Sequence, residues 1–340
     1  MSVSASHEQS HVYLSVAITN PTGEPKLAKA ASNLASSVVK NQSHYQLSVD
    51  RSILNTGSLP IYRYIQDATQ PTPPVGIEST LVVQMSYNGT TVTKNILVDE
   101  DPVGLLDNSL QYVDIFTYTR FVYYYNKALA ACIAELKAVA GLNVACPDPV
   151  LSFSGSSDRF SLFLEDYGVY FAEDLVPFVS IAMNTALQNL LRGFDLEKTG
   201  SWYRFRTLPS TSADVTLVQD YSYLSNFSPI KDVVLETSLN IGNQLERDAS
   251  TGLLSETPVL RDYILLLGDE TSSTATAVFN LVTQREYLDL QSTAGLSQVT
   301  VQVFWRCIFG FKHEVYSAPY SASNVKLYFH LKEEYKNKLM

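Results

Sequence analysis

The side chains best able to do chemistry here are five histidines, His7, His11, His44, His313 and His330, and three cysteines, Cys132, Cys146 and Cys307. A structural zinc site gathers such residues at short, recurring intervals, because one tetrahedral cation draws its ligands from neighbouring turns. Only His7 and His11 come close, four residues apart, and no cysteine or third histidine stands near them. His330 alternates in phase with Lys326, Tyr328 and Lys332, which marks it as a solvated or interface histidine. The cysteines are odd in number and contain no Cys-x-x-Cys pair, so they build neither a disulfide framework nor a zinc site and fit a reducing compartment. No metal and no cofactor is expected.

Covalent and acid–base catalysis find no better footing. There is no Gly-x-Ser-x-Gly elbow, no Ser-x-x-Lys with its partner motifs, and no Gly-x-Gly-x-x-Gly or Walker loop to hold phosphate. Cys132 lies on the apolar face of a helical pattern, where cysteine acts as a small hydrophobe. The paired carboxylates Asp99-Glu100-Asp101, Glu165-Asp166, Glu173-Asp174 and Asp269-Glu270 are adjacent in loops. A glycosidase instead sets two carboxyls against each other across a cleft, one with its pKa raised by burial. The sequence therefore assigns no catalytic, cofactor-binding or metal-binding residue, and a non-enzymatic protein is expected.

Composition narrows the remaining classes. The net charge of −10 argues against a surface built to neutralise phosphates, so strong nucleic-acid binding is not expected. No run of eighteen apolar residues is long enough to cross a membrane as a helix, and the N-terminus has no basic-then-apolar leader pattern. Only 17% of the residues are charged, while tyrosine alone supplies 21 positions. Tyrosine offers large contact area with a polar tip, which suits protein interfaces, and it is also an ordinary strand residue.

The elements that would position these residues are mostly strands. Val299, Val301, Val303 and Trp305 alternate with Thr300, Gln302, Phe304 and Arg306, and after a turn near Gly310 Val325, Leu327, Phe329 and Leu331 do the same. Period two with one apolar face predicts antiparallel strands, read here as a final hairpin. Val12, Leu14, Val16 and Ile18 open the chain in the same way, and Tyr45 begins another such run. Asn88-Gly89 between alternating segments predicts a two-residue hairpin turn. Two helices interrupt the strands. In the first, Tyr125, Leu129, Cys132, Leu136 and Val139 recur at spacings of three and four before Gly141; in the second, Met183, Leu187, Leu190 and Phe194 do so. Both contain Asn-x-Ala-Leu, at Asn126 to Leu129 and Asn184 to Leu187. The segment from Thr22 to Ser43, rich in small polar residues, reads as a weak helix or an arm that orders only against a partner. The organisation expected is an N-terminal strand and arm over 1–44, a first β region with two helices over 45–200, and a second β region over 201–340. The fold class is mainly β, an antiparallel jelly-roll sandwich, either one extended roll with helical insertions or two compact rolls.

The phrases YQLSVDRSILNTGSLPIY, FSLFLEDYGVYF, SNFSPIKDVVLETS and REYLDLQSTAGLSQVTVQVFWRCIFGFKHEVYSAPYSASNVKLYFHLKE, with the two Asn-x-Ala-Leu helices, resemble the penton or minor capsid proteins of small eukaryotic double-stranded DNA viruses, of the polinton-like virus and virophage type. The resemblance extends from about Tyr45 onward. It implies a structural subunit of the virion, made in the host cytoplasm or nucleus, with no catalytic residues. It further implies a homopentamer at the icosahedral vertices beside a larger double jelly-roll major capsid protein, for which 340 residues would be short. A cement or other minor capsid role is the near variant. A carbohydrate- or receptor-binding sandwich, with Trp202 and surface tyrosines stacking on sugar rings, is the alternative reading; a host receptor or glycan is then a partner.

Overall fold

The computed structural model describes residues 9–24, 26–33, 38–55, 59–64, 80–97, 113–207, 209, 213–224, 227, 229–241, 244–247, 254–263, 276–280, 286–307, 312–317 and 319–336. The chain forms two compact units. One comprises Met1–Leu59, Ile230–Leu266 and Ser273–Met340, and the other, inserted into it, comprises Pro60–Pro229 with Leu267–Ser272. The linear division expected at residues 45 and 201 therefore does not hold: strands far apart in sequence share one core, and the helices belong to an insertion between them.

The first unit is an antiparallel sandwich. One sheet runs in the order His11–Asn20, Ser321–Leu331, Tyr45–Asn55, Thr276–Asn280, with Leu288–Asp289 also on Tyr45–Asn55; the other runs Val259–Tyr263, Ile230–Thr237, Gln298–Cys307, Lys312–Glu314, with Lys29–Asn33 on Gln298–Cys307. Successive strands are shared out between the two sheets, as in a jelly roll. The alternation read from the sequence is what builds the core. Val299, Val301, Val303 and Trp305 from one sheet, and Val325, Leu327, Phe329 and Leu331 from the other, are all buried in one cluster with Val12, Val16, Ile18, Tyr45 and Leu47. Those two C-terminal strands are not a hairpin, however. Gln298–Cys307 turns back onto Lys312–Glu314, while Ser321–Leu331 pairs with His11–Asn20 and Tyr45–Asn55 in the opposite sheet. Gly310 lies outside the described residues.

In the segment from Thr22 to Ser43, the described residues 26–27 and 29–33 are strand and pair within the chain, so they form neither the weak helix nor the free arm expected. Lys29–Asn33 pairs along Gln298–Cys307, Lys26–Leu27 pairs with Tyr316–Ser317, and Ala28 and Val39 are buried in the sandwich core. The small residues that weaken a helix fit the edge of a sheet, and the main-chain bonds from Ala28 N to Val315 O (2.7 Å) and from Val303 N to Ala28 O (2.9 Å) hold it there. It thus covers an edge of its own sandwich.

The inserted unit is mixed. Its larger sheet runs Leu196–Thr199, Trp202–Phe205, Ser180–Asn184, Val82–Tyr87, Thr90–Asn95, and a smaller one runs Val215–Val218, Arg159–Leu164, Val150–Ser154. Asn88 and Gly89 both take positive φ in the two-residue turn between Val82–Tyr87 and Thr90–Asn95, as a type I′ hairpin requires. The helix Tyr118–Val139 starts where the Thr117 side chain accepts from Arg120 N at 3.1 Å, and it buries Phe121, Tyr125, Leu129, Cys132 and Leu136 on one face. Val139, expected on that face, is exposed in the last turn. The second expected helix is half strand: Ser180–Asn184 lies in the sheet and only Thr185–Leu190 is helical. Asn184 is the reason, since its side chain caps Leu187 N at 3.1 Å and so begins the helix there.

Candidate functional site

Cys132, Cys146 and Cys307 are free and buried. Burial pushes the Cys132 thiol up to about 12 and that of Cys146 up to about 11, away from the thiolate that a nucleophile needs. Glu165, Asp166, Glu173 and Asp174 are exposed on turns, and Asp99 to Asp101, Asp269 and Glu270 lie outside the described residues. Among the described residues no three His, Cys, Asp or Glu side chains gather as metal ligands, and no helix is long and apolar enough to cross a membrane. A crevice lined by Ala28, Leu54, Leu59, Val233 and Val303 offers about 10 Å³, room for about one water.

The Asn-x-Ala-Leu motifs do share a role, and it is architectural. Asn126 in the long helix donates to Leu151 O (2.9 Å) and accepts from Leu151 N (2.8 Å). Asn184 donates to Thr80 O (2.7 Å) and accepts from Val82 N (3.2 Å). In each case the side-chain amide copies the donor–acceptor pair of a strand and satisfies backbone that a helix could not reach.

Charge is used sparingly. Arg306, on an inner strand of the sandwich, holds Asp232 through Nε to Oδ1 (2.6 Å) and Nη2 to Oδ2 (3.0 Å), and its Nη2 also meets Asp262 at 3.0 Å. Asp232 is buried, so this bidentate pair is what permits its charge in the interior. Three lysines near the end of the chain are paired within it: Lys326 with Asp50 (3.1 Å), Lys332 with Asp289 (3.0 Å) and Lys336 with Glu333 (2.5 Å). Those partners hold the Asp289 and Glu333 carboxyls below their ordinary value.

The scattered histidines are less scattered in three dimensions. His7 lies outside the described residues. His44 stacks on Tyr335 with ring centroids 4.0 Å apart, and His313 lies against Trp305 at 4.4 Å. His11 stands directly opposite His330 in the ladder between the first and last strands, with Tyr13 opposite Tyr328 beside them. His11 Nδ1 is 2.5 Å and His330 Nδ1 is 3.0 Å from the Tyr328 hydroxyl. No sequence interval could have shown this pair, because its members are separated by nearly the whole chain.

Surface tyrosine is the other feature that the sequence pointed to. Tyr13, Tyr123, Tyr221, Tyr287, Tyr316 and Tyr320 are exposed, whereas Tyr45, Tyr62, Tyr124, Tyr125, Tyr167 and Tyr328 are buried, so the residue serves core and surface alike. Trp202, expected to be exposed, is half-buried in the sheet opposite Asn184 and Thr199.

No family model matches this sequence, and no curated protein does. Solved structures do. A chain of the Sputnik virophage, from its 3.5 Å cryo-electron microscopy structure, superposes with a TM-score of 0.70 at 20% identity, covering 96% of this chain and 99% of its own. The mavirus penton protein superposes with a TM-score of 0.63 at 17% identity, covering 95% and 99%. The chain has the virophage capsid-protein fold. The likeness takes in the sandwich and the inserted unit together, because it leaves out only a twentieth of the chain.

Proposed function

We propose that this chain is a structural subunit of an icosahedral virus capsid and that it forms the pentamer at the vertices, next to a larger major capsid protein. The observation that carries this reading is the end-to-end likeness to the mavirus penton protein, over 95% of this chain and 99% of that one. The chemistry of the chain supports it. The three cysteines are buried, the described paired acids Glu165-Asp166 and Glu173-Asp174 sit on turns, and Asn126, Asn184 and Arg306 hold strands in place.

A subunit of this kind works by shape. It needs a rigid body, which the sandwich core supplies, and outward surface of low charge that can be desolvated cheaply, which exposed tyrosine and valine supply. Assembly in the virion then follows from symmetry: a heterologous contact repeated around a five-fold axis closes into a ring. Negative-stain microscopy of the purified chain tests this, with rings of five expected and dispersed single subunits counting against it.

A further inference from the structure

We propose that His11, His330 and Tyr328 form a binding site for one late first-row divalent cation, with Zn²⁺ as the reference ion, which ties the first strand to the last. This inference stands apart from the capsid reading. His11 and His330 face each other across antiparallel strands, and their Nδ1 atoms are 3.4 Å apart. A cation bound at about 2.1 Å from each nitrogen would see them at an angle of roughly 108°, close to tetrahedral. The Tyr328 hydroxyl, 2.5 and 3.0 Å from the same two nitrogens, supplies an oxygen on the same spot, and solvent completes the shell.

The site is held in place. Tyr328 is 4% exposed, stacked on Tyr13 at 4.8 Å and lying parallel to His11 at 5.8 Å, while the strand ladder fixes both histidine backbones. Tyr287 closes one side, 5.8 Å from His330. On the far side of the His330 ring, Nε2 faces Lys336 Nζ at 3.4 Å and Glu333 Oε1 at 3.9 Å. Without a cation, Lys336 donates to Nε2, which leaves the ring proton on Nδ1 to donate to Tyr328. With a cation on Nδ1, that proton sits on Nε2, the Lys336 ammonium has to turn aside, and the Glu333 carboxylate, 3.9 Å away, is the nearby acceptor toward which Nε2 can reorient, as an outer partner of a metal-bound imidazole. Two imidazoles and a phenol select zinc, nickel or copper over calcium or magnesium, which require oxygen-rich shells. Among the described residues the first strand is the edge of its sheet, paired there only with the last strand, so a cation shared between the two fastens an edge strand.

Thermal melting and titration calorimetry of the full chain, first stripped with a chelator, test the site. Zn²⁺ and Ni²⁺ should bind at one ion per chain and raise the melting temperature, and Ca²⁺ should not. His11→Ala and His330→Ala should each weaken Zn²⁺ at least tenfold and abolish its effect on melting, while both still melt cooperatively without metal, because His11 is exposed and His330 is only partly covered and neither belongs to the apolar core. Should either fail to fold, His11→Asn or His330→Asn gives the same reading. Absence of zinc binding by the native chain would overturn the proposal, as would binding that survives either substitution, including binding lost in His11→Ala but kept in His330→Ala.

Discussion

At the scale of single residues, the protein spends its reactive groups on structure. Cys132 is wholly enclosed by the long helix and its sheet, and with its thiol near 12 the thiolate fraction at pH 8 is on the order of 10⁻⁴. Native protein at that pH should therefore leave Cys132 and Cys146 unmodified by a thiol reagent, and denaturant should expose both; rapid labelling of either in the folded state would contradict this burial. The Arg306 and Asp232 pair makes a second, sharper case. Arg306→Ala would strand a buried carboxylate, and a loss of about 3–5 kcal/mol is expected in denaturant unfolding. A loss below about 1 kcal/mol would mean that Asp232 is solvated.

At the scale of elements, the helix Tyr118–Val139 and the short helix Thr185–Leu190 each turn one leucine of the shared motif inward. Leu129 and Leu187 are fully buried. Leu129→Ala and Leu187→Ala should each cost about 2–5 kcal/mol, while Ala134→Gln on the exposed side of the long helix should change stability by no more than about 0.5 kcal/mol. Equal effects at all three positions would remove the amphipathic assignment. The segment Lys26–Asn33 gives an expectation opposite to that for a free arm. It closes a sheet edge and seats Ala28 in the core, so its deletion should lower the melting temperature of the isolated subunit in circular dichroism. Unchanged melting would mean that the strand is held elsewhere.

The same elements show what could be read in the chain and why. Strand faces such as Val299 to Trp305 were legible because a period of two against a buried core is a local rule. The hairpin at Asn88-Gly89 was legible because its turn demands those residues. Which strands would pair was not, since Gln298–Cys307 and Ser321–Leu331 are neighbours in sequence and members of opposite sheets. The second helix is expected to start too early because Met183 fits both the helical series with Leu187 and Leu190 and the strand Ser180–Asn184, and the capping role of Asn184 is what decides between them. The His11 and His330 pair was invisible for a further reason: it is created by the closure of the first strand on the last.

At the scale of the whole molecule, the proposed role as a vertex subunit of a capsid predicts how the chain assembles. Its low proportion of charged residues implies contacts that are mainly apolar and hydrogen-bonded, so the assembly should survive moderate salt that screens surface ion pairs. The most direct measurement is the solution mass of the purified chain by sedimentation equilibrium, at low and moderate salt. Five chains of 37.8 kDa predict a species of about 190 kDa at both salt concentrations. A 37.8 kDa monomer throughout the concentration range, or a closed oligomer of another number, would contradict the account.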